Sequence, residues 1–297
     1  MKTTTSYTYV AAVVSMLLWG MSFVWTAILL KDYTPITIIF LRLGISSAFM
    51  FLILWLSNAF QRIKKEHFLL FFMSALFNPF FYFIGENYGV MYTSPTISAV
   101  IIATIPLVAP IAAWFLLKER LSRLNILGLI VSFMGIIIML VNSSLKLDAD
   151  PKGIGALLFA VMSAVFYSIA LKKLSDHYKP FFLIAVQNLI GMIYFLPLFL
   201  WFELDNFRMV KPNGEMIFSL FSLAILCSSF AFVLFTIAMR SIGVARVNVF
   251  SNLIPVFTGI FSYFVIGEQV GSQKIMGIII VISGLFLSQL KKRKSLI

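Results

Sequence analysis

Residues Thr96–Gly135 read TISAVIIATIPLVAPIAAWFLLKERLSRLNILGLIVSFMG, and residues Ala245–Gly284 read ARVNVFSNLIPVFTGIFSYFVIGEQVGSQKIMGIIIVISG. The second stretch lies on the first at an offset of 149 without a gap. Pro106 falls on Pro255, Glu119 on Glu268, Gly128 on Gly277 and Gly135 on Gly284. Shared Ile and Val carry little weight in so apolar a chain. Gly, Pro and Glu are scarce here and have backbone or charge consequences, so their common register reads as an internal duplication.

Composition sets the solvent. Hydrophobic residues make up 61% of the 297 residues and charged residues 11%, against roughly a quarter charged in a soluble domain. So much apolar surface requires lipid, and the repeated apolar runs of about 20 residues point to helices rather than a barrel. The net charge of +12 does not point to nucleic acid, because the basic residues sit in short clusters between apolar runs, where they orient a membrane protein. The single cysteine, Cys227, lies inside an apolar run and allows no intramolecular disulfide. The N-terminal run continues to Leu30 with no small-residue cleavage site and reads as a retained first span.

Ten spans are expected. The first five lie near Tyr7–Leu30, Pro35–Ser57, Phe68–Tyr92, Ile97–Leu117 and Leu124–Val141. The second five lie near Gly153–Leu171, Pro180–Phe202, Met216–Arg240, Ala245–Ile266 and Lys274–Leu290. A polar linker, Asn142–Lys152, divides the chain into halves 1–146 and 147–297. Sixteen Lys and Arg collect on one side and six on the other, which places both termini in the cytoplasm. Five is odd, so the second half enters the membrane inverted. Glu119 is then at the cytoplasmic face and Glu268 at the outer face. Inverted repeats give one fold two near-equivalent arrangements, with a binding site near the midplane where the repeats meet.

Leu18-Trp19-Gly20-Met21-Ser22-Phe23 resembles the opening motif of the EamA family of the drug/metabolite transporter superfamily. Ile105-Pro106-Leu107, Leu117-Lys118-Glu119-Arg120-Leu121, Gly128 and Gly135 resemble that family's second signature. This recurs at Pro255, Gly267-Glu268, Gly277 and Gly284, and Arg42 stands where the family often has an arginine in its second helix. The resemblance implies an all-α membrane protein with helices one to four and six to nine around a central cavity, braced by helices five and ten. It also implies export of amino acids, other metabolites or drug-like compounds. The sixth helix has no Trp-Gly to match Trp19-Gly20, so the cavity need not be symmetric.

Several residues are candidates for the cavity. Asn78, Tyr82 and Glu86 are spaced by four and would share one helix face, with Pro79 freeing a carbonyl beside them. Glu86 and Arg42 lie roughly 9 and 12 Å below the same outer face at ~1.5 Å per residue. They are expected to pair, since either charge alone is poorly solvated there. The competing readings are a structural Glu86 and an Arg42 that snorkels to headgroups. As a functional group, Glu86 would hold the amine of a zwitterionic substrate or bind a coupling proton.

On the ninth span Asn248, Ser251, Asn252 and Pro255 form one polar face at helical spacing, read either as cavity lining or as interhelical hydrogen bonding. Trp19, Ser22 and Thr26 share a face of the first span, and Ser163 and Tyr167 one of the sixth. These are read as substrate contacts or packing. Arg42 aligns with Gln187 at an offset of 145, supported by Tyr33/Tyr178 and Pro35/Pro180, which makes Gln187 and Asn188 secondary candidates. Gly128, Ser132 and Gly135, with Gly277 and Gly284, form small stripes suited to a brace or a dimer seam. Glu119 and Glu268 read as helix-capping or basic-paired end groups.

No dinucleotide, phosphate-loop or metal-ligand spacing is present. Gly153-Ile-Gly155 lacks a third glycine, and His67 and His177 stand apart from other ligands. No cofactor is expected. The reading is a secondary carrier of the cytoplasmic inner membrane that moves a small organic metabolite by alternating access. A proton or other ion is its candidate coupling partner, the chain acting as monomer or homodimer. Pro106 and Pro255 are its expected hinges. A membrane enzyme and a non-transporting scaffold or receptor are the rival classes.

Overall fold

The computed structural model describes residues 2–108, 123–140, 149–243 and 247–289. Among the described residues the chain is helical throughout, with no strand. We number its segments α1 Lys2–Leu29, α2 Pro35–Leu56, α3 Lys65–Tyr92, α4 Pro95–Val108, α5 Arg123–Leu140 and α6 Pro151–Ser175, followed by α7 Pro180–Met209 and α8 Gly214–Ile242. The ninth, α9, is a 3-10 helix Asn248–Leu253 that continues as an α-helix Ile254–Phe261 and a wide final turn Ser262–Ile266; α10 is Ser272–Gln289. Six of these segments are long and apolar enough to cross a membrane, and four are shorter.

Local sequence explains where the helices begin. Thr34, Ser94 and Asp150 each cap a helix whose first residue is proline, accepting from the backbone N–H of Thr37, Ile97 and Lys152. A side-chain acceptor satisfies an orphan donor, and proline loses nothing at a position whose N–H has no partner. These pairs place the starts of α4 and α6 two residues earlier than hydropathy suggested, at Pro95 and Pro151. The expected end of the fourth span, residues 109–117, lies outside the described residues.

The surface is turned inside out relative to a soluble protein. Trp201, Phe264 and Leu69 are 85%, 78% and 72% exposed, while Arg42, Glu86, Asn87 and Gln187 are buried. Apolar rings facing outward and polar groups facing inward are what lipid requires.

The two halves meet reciprocally. A methyl group on Gly135 would come 2.8 Å from the carbonyl oxygen of Gly277, and one on Gly284 would come 2.7 Å from that of Gly128. Between these contacts Ser132 donates to the Val281 carbonyl at 3.0 Å. Ser132 and Val281 are themselves counterparts at the offset of 149. Contact of one residue with the counterpart of another, answered by the reverse contact, is the pattern of a two-fold interface. The glycine stripes therefore join α5 to α10 within the chain, where only hydrogen fits between the backbones. Phe83 and Phe232, also 149 apart, meet edge to face at 6.3 Å.

Counterpart helices share their irregularities. The register that sets Lys65 on Gly214 sets α3 on α8, and both widen in mid-helix, at Leu76–Phe81 and Leu223–Ala231. In α3 the backbone leaves helical geometry at Asn78 (φ −146°, ψ 119°), and the Asn78–Pro79 peptide is cis.

Candidate functional site

A cavity of about 750 Å³, including space continuous with bulk solvent, lies between the two halves. Most of its wall positions fall in counterpart pairs; Arg42, Asn78, Tyr82 and Asn248 do not. From α1 and α6 come Trp19 and Ala164, Ser22 and Tyr167, Phe23 and Ser168, each 145 apart. From α3 and α8 come Phe83 and Phe232, then Glu86 and Phe235. From α4 and α9 come Ile102 and Ser251, then Ile105 and Ile254, these and the α3–α8 pairs all 149 apart. The positions repeat and the chemistry does not: where the first half supplies a carboxylate the second supplies a phenyl ring.

The charged corner is built from α2 and α3. Arg42 is 1% exposed, and its Nη1 stands 3.8 Å from Glu86 Oε1. Its Nε donates to Ser228 Oγ at 2.9 Å, and its guanidinium lies 4.1 Å from the centroid of Phe83. Nη1 makes no hydrogen bond of its own. The planar cation is thus held by a hydroxyl and an aromatic face, with the carboxylate close enough for Coulomb attraction but beyond hydrogen-bond length. Tyr82, one turn before Glu86, interacts with the same carboxylate. Arg42 does not snorkel outward.

A polar network backs this corner. Asn188 donates to Ser46 Oγ and to the Ser228 carbonyl, and Ser46 and Ser229 share a hydrogen bond. Tyr167 donates to Gln187 Oε1, and Gln187 in turn bonds Ser74. Gln187 and Asn188 therefore support the wall from behind without forming it. Sequence had offered Gln187 only as the counterpart of Arg42, with Asn188 beside it; a buried amide cluster on α7 was the available signal.

Of the candidates, Trp19, Ser22, Arg42, Asn78, Tyr82, Glu86, Tyr167, Asn248 and Ser251 all reach the cavity wall. Asn78, Tyr82 and Glu86 do so across a broken helix rather than along one continuous face. A carbonyl at the break, that of Phe77, accepts from Ser163 of α6 at 2.6 Å, so it is engaged by a neighbouring helix and not left to the cavity. Asn252 is buried off the wall, with neither amide atom hydrogen-bonded. The reason is the 3-10 geometry of Asn248–Leu253: three residues per turn align Asn248, Ser251 and Ile254 and rotate Asn252 away. Thr26 is buried away from the wall.

Pro106 is buried in α4 just after a turn at residues 103–104, and Pro255 stands where the 3-10 helix of α9 becomes α-helix. Glu268 accepts from Thr96 Oγ1 at 2.9 Å, in the first turn of α4, while its own backbone N–H closes the end of α9 on Ser262. A carboxylate there faces the positive end of a helix dipole. Glu119 lies outside the described residues. Sequence reading missed Phe23, Phe83, Phe232 and Phe235 on the wall; among 32 phenylalanines no spacing singles them out. No group of three or more His, Cys, Asp or Glu among the described residues is placed to hold a metal.

An outward-apolar helical fold with a charged, aromatic-walled cavity between matching halves defines a multi-pass membrane protein built to hold a small molecule. The chain belongs to the EamA-like transporter family, whose model matches it twice, at residues 6–141 and 151–290. It is 25% identical over 97% of its length to an uncharacterized transporter of Archaeoglobus fulgidus, covering 99% of that protein. It is 24% identical over 86% of its length to the uncharacterized transporter YetK of Bacillus subtilis, covering 78% of that one. A solved crystal structure superposes with a TM-score of 0.70 at 18% identity, over 96% of this chain and 98% of the other. Relatives are named as transporters and not as enzymes, and the chain is a membrane transporter of that family.

Proposed function

We propose that this transporter is a secondary carrier that moves a small organic metabolite, an amino acid or related compound, out of the cell across the cytoplasmic membrane. The observation that carries the reading is the buried Arg42–Glu86 pair in the wall of the inter-repeat cavity. A structural ion pair gains nothing from standing at a solvent-connected cavity, whereas a solute with polar groups finds both charges already ordered there. Trp19, Ser22, Asn78, Tyr82, Tyr167, Asn248 and Ser251 complete the site. Asn252 is not among the substrate contacts. Glu86 holds a substrate amine or carries a coupling proton, and the chain's own repeat symmetry lets a single polypeptide suffice.

The positive-inside count puts both termini in the cytoplasm and the two halves, 1–146 and 147–297, in opposite orientations. With that orientation the cavity faces inward in this conformation. Ser168 and Phe235 on its wall lie within about a turn or two of Lys172 and Arg240. At the other end Gly85 of α3 packs on the backbone of Ala156 and Gly89 packs on Leu157, which closes α3 against α6. Bending near Pro106 and Pro255 exchanges the open end for the closed one.

Counterflow of labelled amino acids and related metabolites in vesicles made with purified protein tests the reading. A solute is expected to exchange in wild type and to be lost with Glu86→Gln. Exchange of the full panel at the rate of empty vesicles would overturn it. Repeating the measurement with and without an imposed pH gradient separates the two roles of Glu86: a rate indifferent to the gradient removes the proton.

A further inference from the structure

A carrier of the kind proposed above must open its cavity at the end that is shut in this conformation, and a side-chain bond between the halves crosses that end. Thr96, fully buried in the first turn of α4, donates its hydroxyl to Glu268 Oε2 at 2.9 Å. Glu268 follows the left-handed Gly267 that ends α9, and its backbone N–H reaches back to the Ser262 carbonyl at 3.1 Å. Its Oε1 is buried without a hydrogen bond. The Thr96 hydroxyl is therefore the donor that this carboxylate has among the described residues.

α4 and α9 belong to opposite halves, and both wall the cavity, through Ile102 and Ile105 on one and Ser251 and Ile254 on the other. Opening the shut end draws the start of α4 away from the end of α9, and the bond breaks. In the shut state hydroxyl and carboxylate meet out of water; in the open state both return to solvent. A hydrogen bond to a charged acceptor then favours the shut state. The unpaired Oε1 opposes it, because a buried acceptor without a partner gains from release to water. A contact broken in every cycle has to be of such limited strength, since a tighter one would trap the carrier.

The duplication makes this bond one-sided. At the offset of 149 Glu268 answers to Glu119, but Thr96 answers to Ala245, which has no hydroxyl to give. The same bond cannot form at the other end.

We propose that Thr96 and Glu268 form a latch across the two halves that holds the outer end shut and weights the carrier toward the state open to the cytoplasm. An exporter weighted in this way waits with its cavity open to the solute it removes. The proposal rests on the orientation and the alternation argued above, and its test needs no solute.

Ile105→Cys on the cavity wall, in a Cys227→Ala background, reports which side the cavity faces. A membrane-impermeant maleimide is applied to right-side-out and to inside-out membrane vesicles, and the ratio of outside to inside labelling rates is measured. The parent is expected to label chiefly from the cytoplasmic side. Thr96→Val keeps the shape, removes the hydroxyl and should raise the ratio by roughly tenfold. Thr96→Ser keeps the donor and should hold the ratio at the parent value. Glu268→Ala should raise it at least as far as Thr96→Val, and the double variant no further than Glu268→Ala, because the two changes break one bond. Melting temperatures show which variants are folded; if Thr96→Val is not, Glu268→Ala decides. A ratio unmoved by either folded variant overturns the proposal, as do additive rises in the double variant, an equal rise with Thr96→Ser, or a parent labelled chiefly from outside or from neither side. If the latch fails, counterflow still decides whether the chain is a carrier; if no solute exchanges while the ratio shifts as stated, the solute reading falls and the latch stands.

Discussion

Replacing Glu86 by Gln removes the only acid facing Arg42 among the described residues while keeping the shape of the side chain. Arg42 and Glu86 are 1% and 4% exposed with 3.8 Å between their nearest charged atoms. At that separation an effective dielectric of about 20 gives an attraction of roughly 4 kcal/mol, and stranding one buried partner costs ~3–5 kcal/mol. Glu86→Gln alone should therefore destabilise by about 3 kcal/mol or more. Arg42→Met alone should cost less, because a stranded carboxylate can take up a proton whereas a guanidinium does not give one up. With both changes no charge is left unpaired, and the Met side chain fills the space over Phe83. The double variant should then recover most of what Glu86→Gln lost. Fluorescence-detected thermal unfolding in a mild detergent measures this, with ~2 °C expected per kcal/mol in a chain of this size. Melting temperatures that fall additively in the double variant would refute the pairing argument, since additivity means the two side chains do not sense each other.

Other outcomes follow from single contacts. Gly277→Val would press a branched side chain onto the Gly135 carbonyl and Met139, and should cost ~1–3 kcal/mol in the same melt. Ser163→Ala leaves the Phe77 carbonyl without its donor and should cost ~1–3 kcal/mol, with hydrogen exchange rising first around residues 76–81. Asp150→Ala removes the cap of α6 and should cost about 1 kcal/mol. Pro106→Ala and Pro255→Ala are expected to slow counterflow with little change in melting temperature; unchanged rates remove the hinge role.

Much of this architecture is written in the chain because lipid leaves so few choices. Apolar runs set the helices, and scarce Gly and Pro in register mark the duplication. Gly128, Gly135, Gly277 and Gly284 could be read as close-packing positions, but only the structure shows that the stripes meet each other within one chain. Depth along the helix was enough to bring Arg42 to Glu86. It was not enough at Asn252, where a 3.6-residue period was assumed and the backbone runs at three residues per turn. The aromatic side of the cavity was illegible for a different reason: Phe serves equally against lipid, in the core and on the wall, so Phe232 and Phe235 carry no mark that separates them from Phe230 or Phe218.

The central claim is that the two halves traverse the membrane in opposite senses. Glu66 and Glu215 occupy equivalent places at the starts of α3 and α8, 149 apart, and both are exposed. Single cysteines at these positions, in a Cys227→Ala background, can be challenged in intact cells with a membrane-impermeant maleimide. Glu215→Cys should label from outside and Glu66→Cys only after the membrane is opened. Both cysteines labelling from one side would contradict the account.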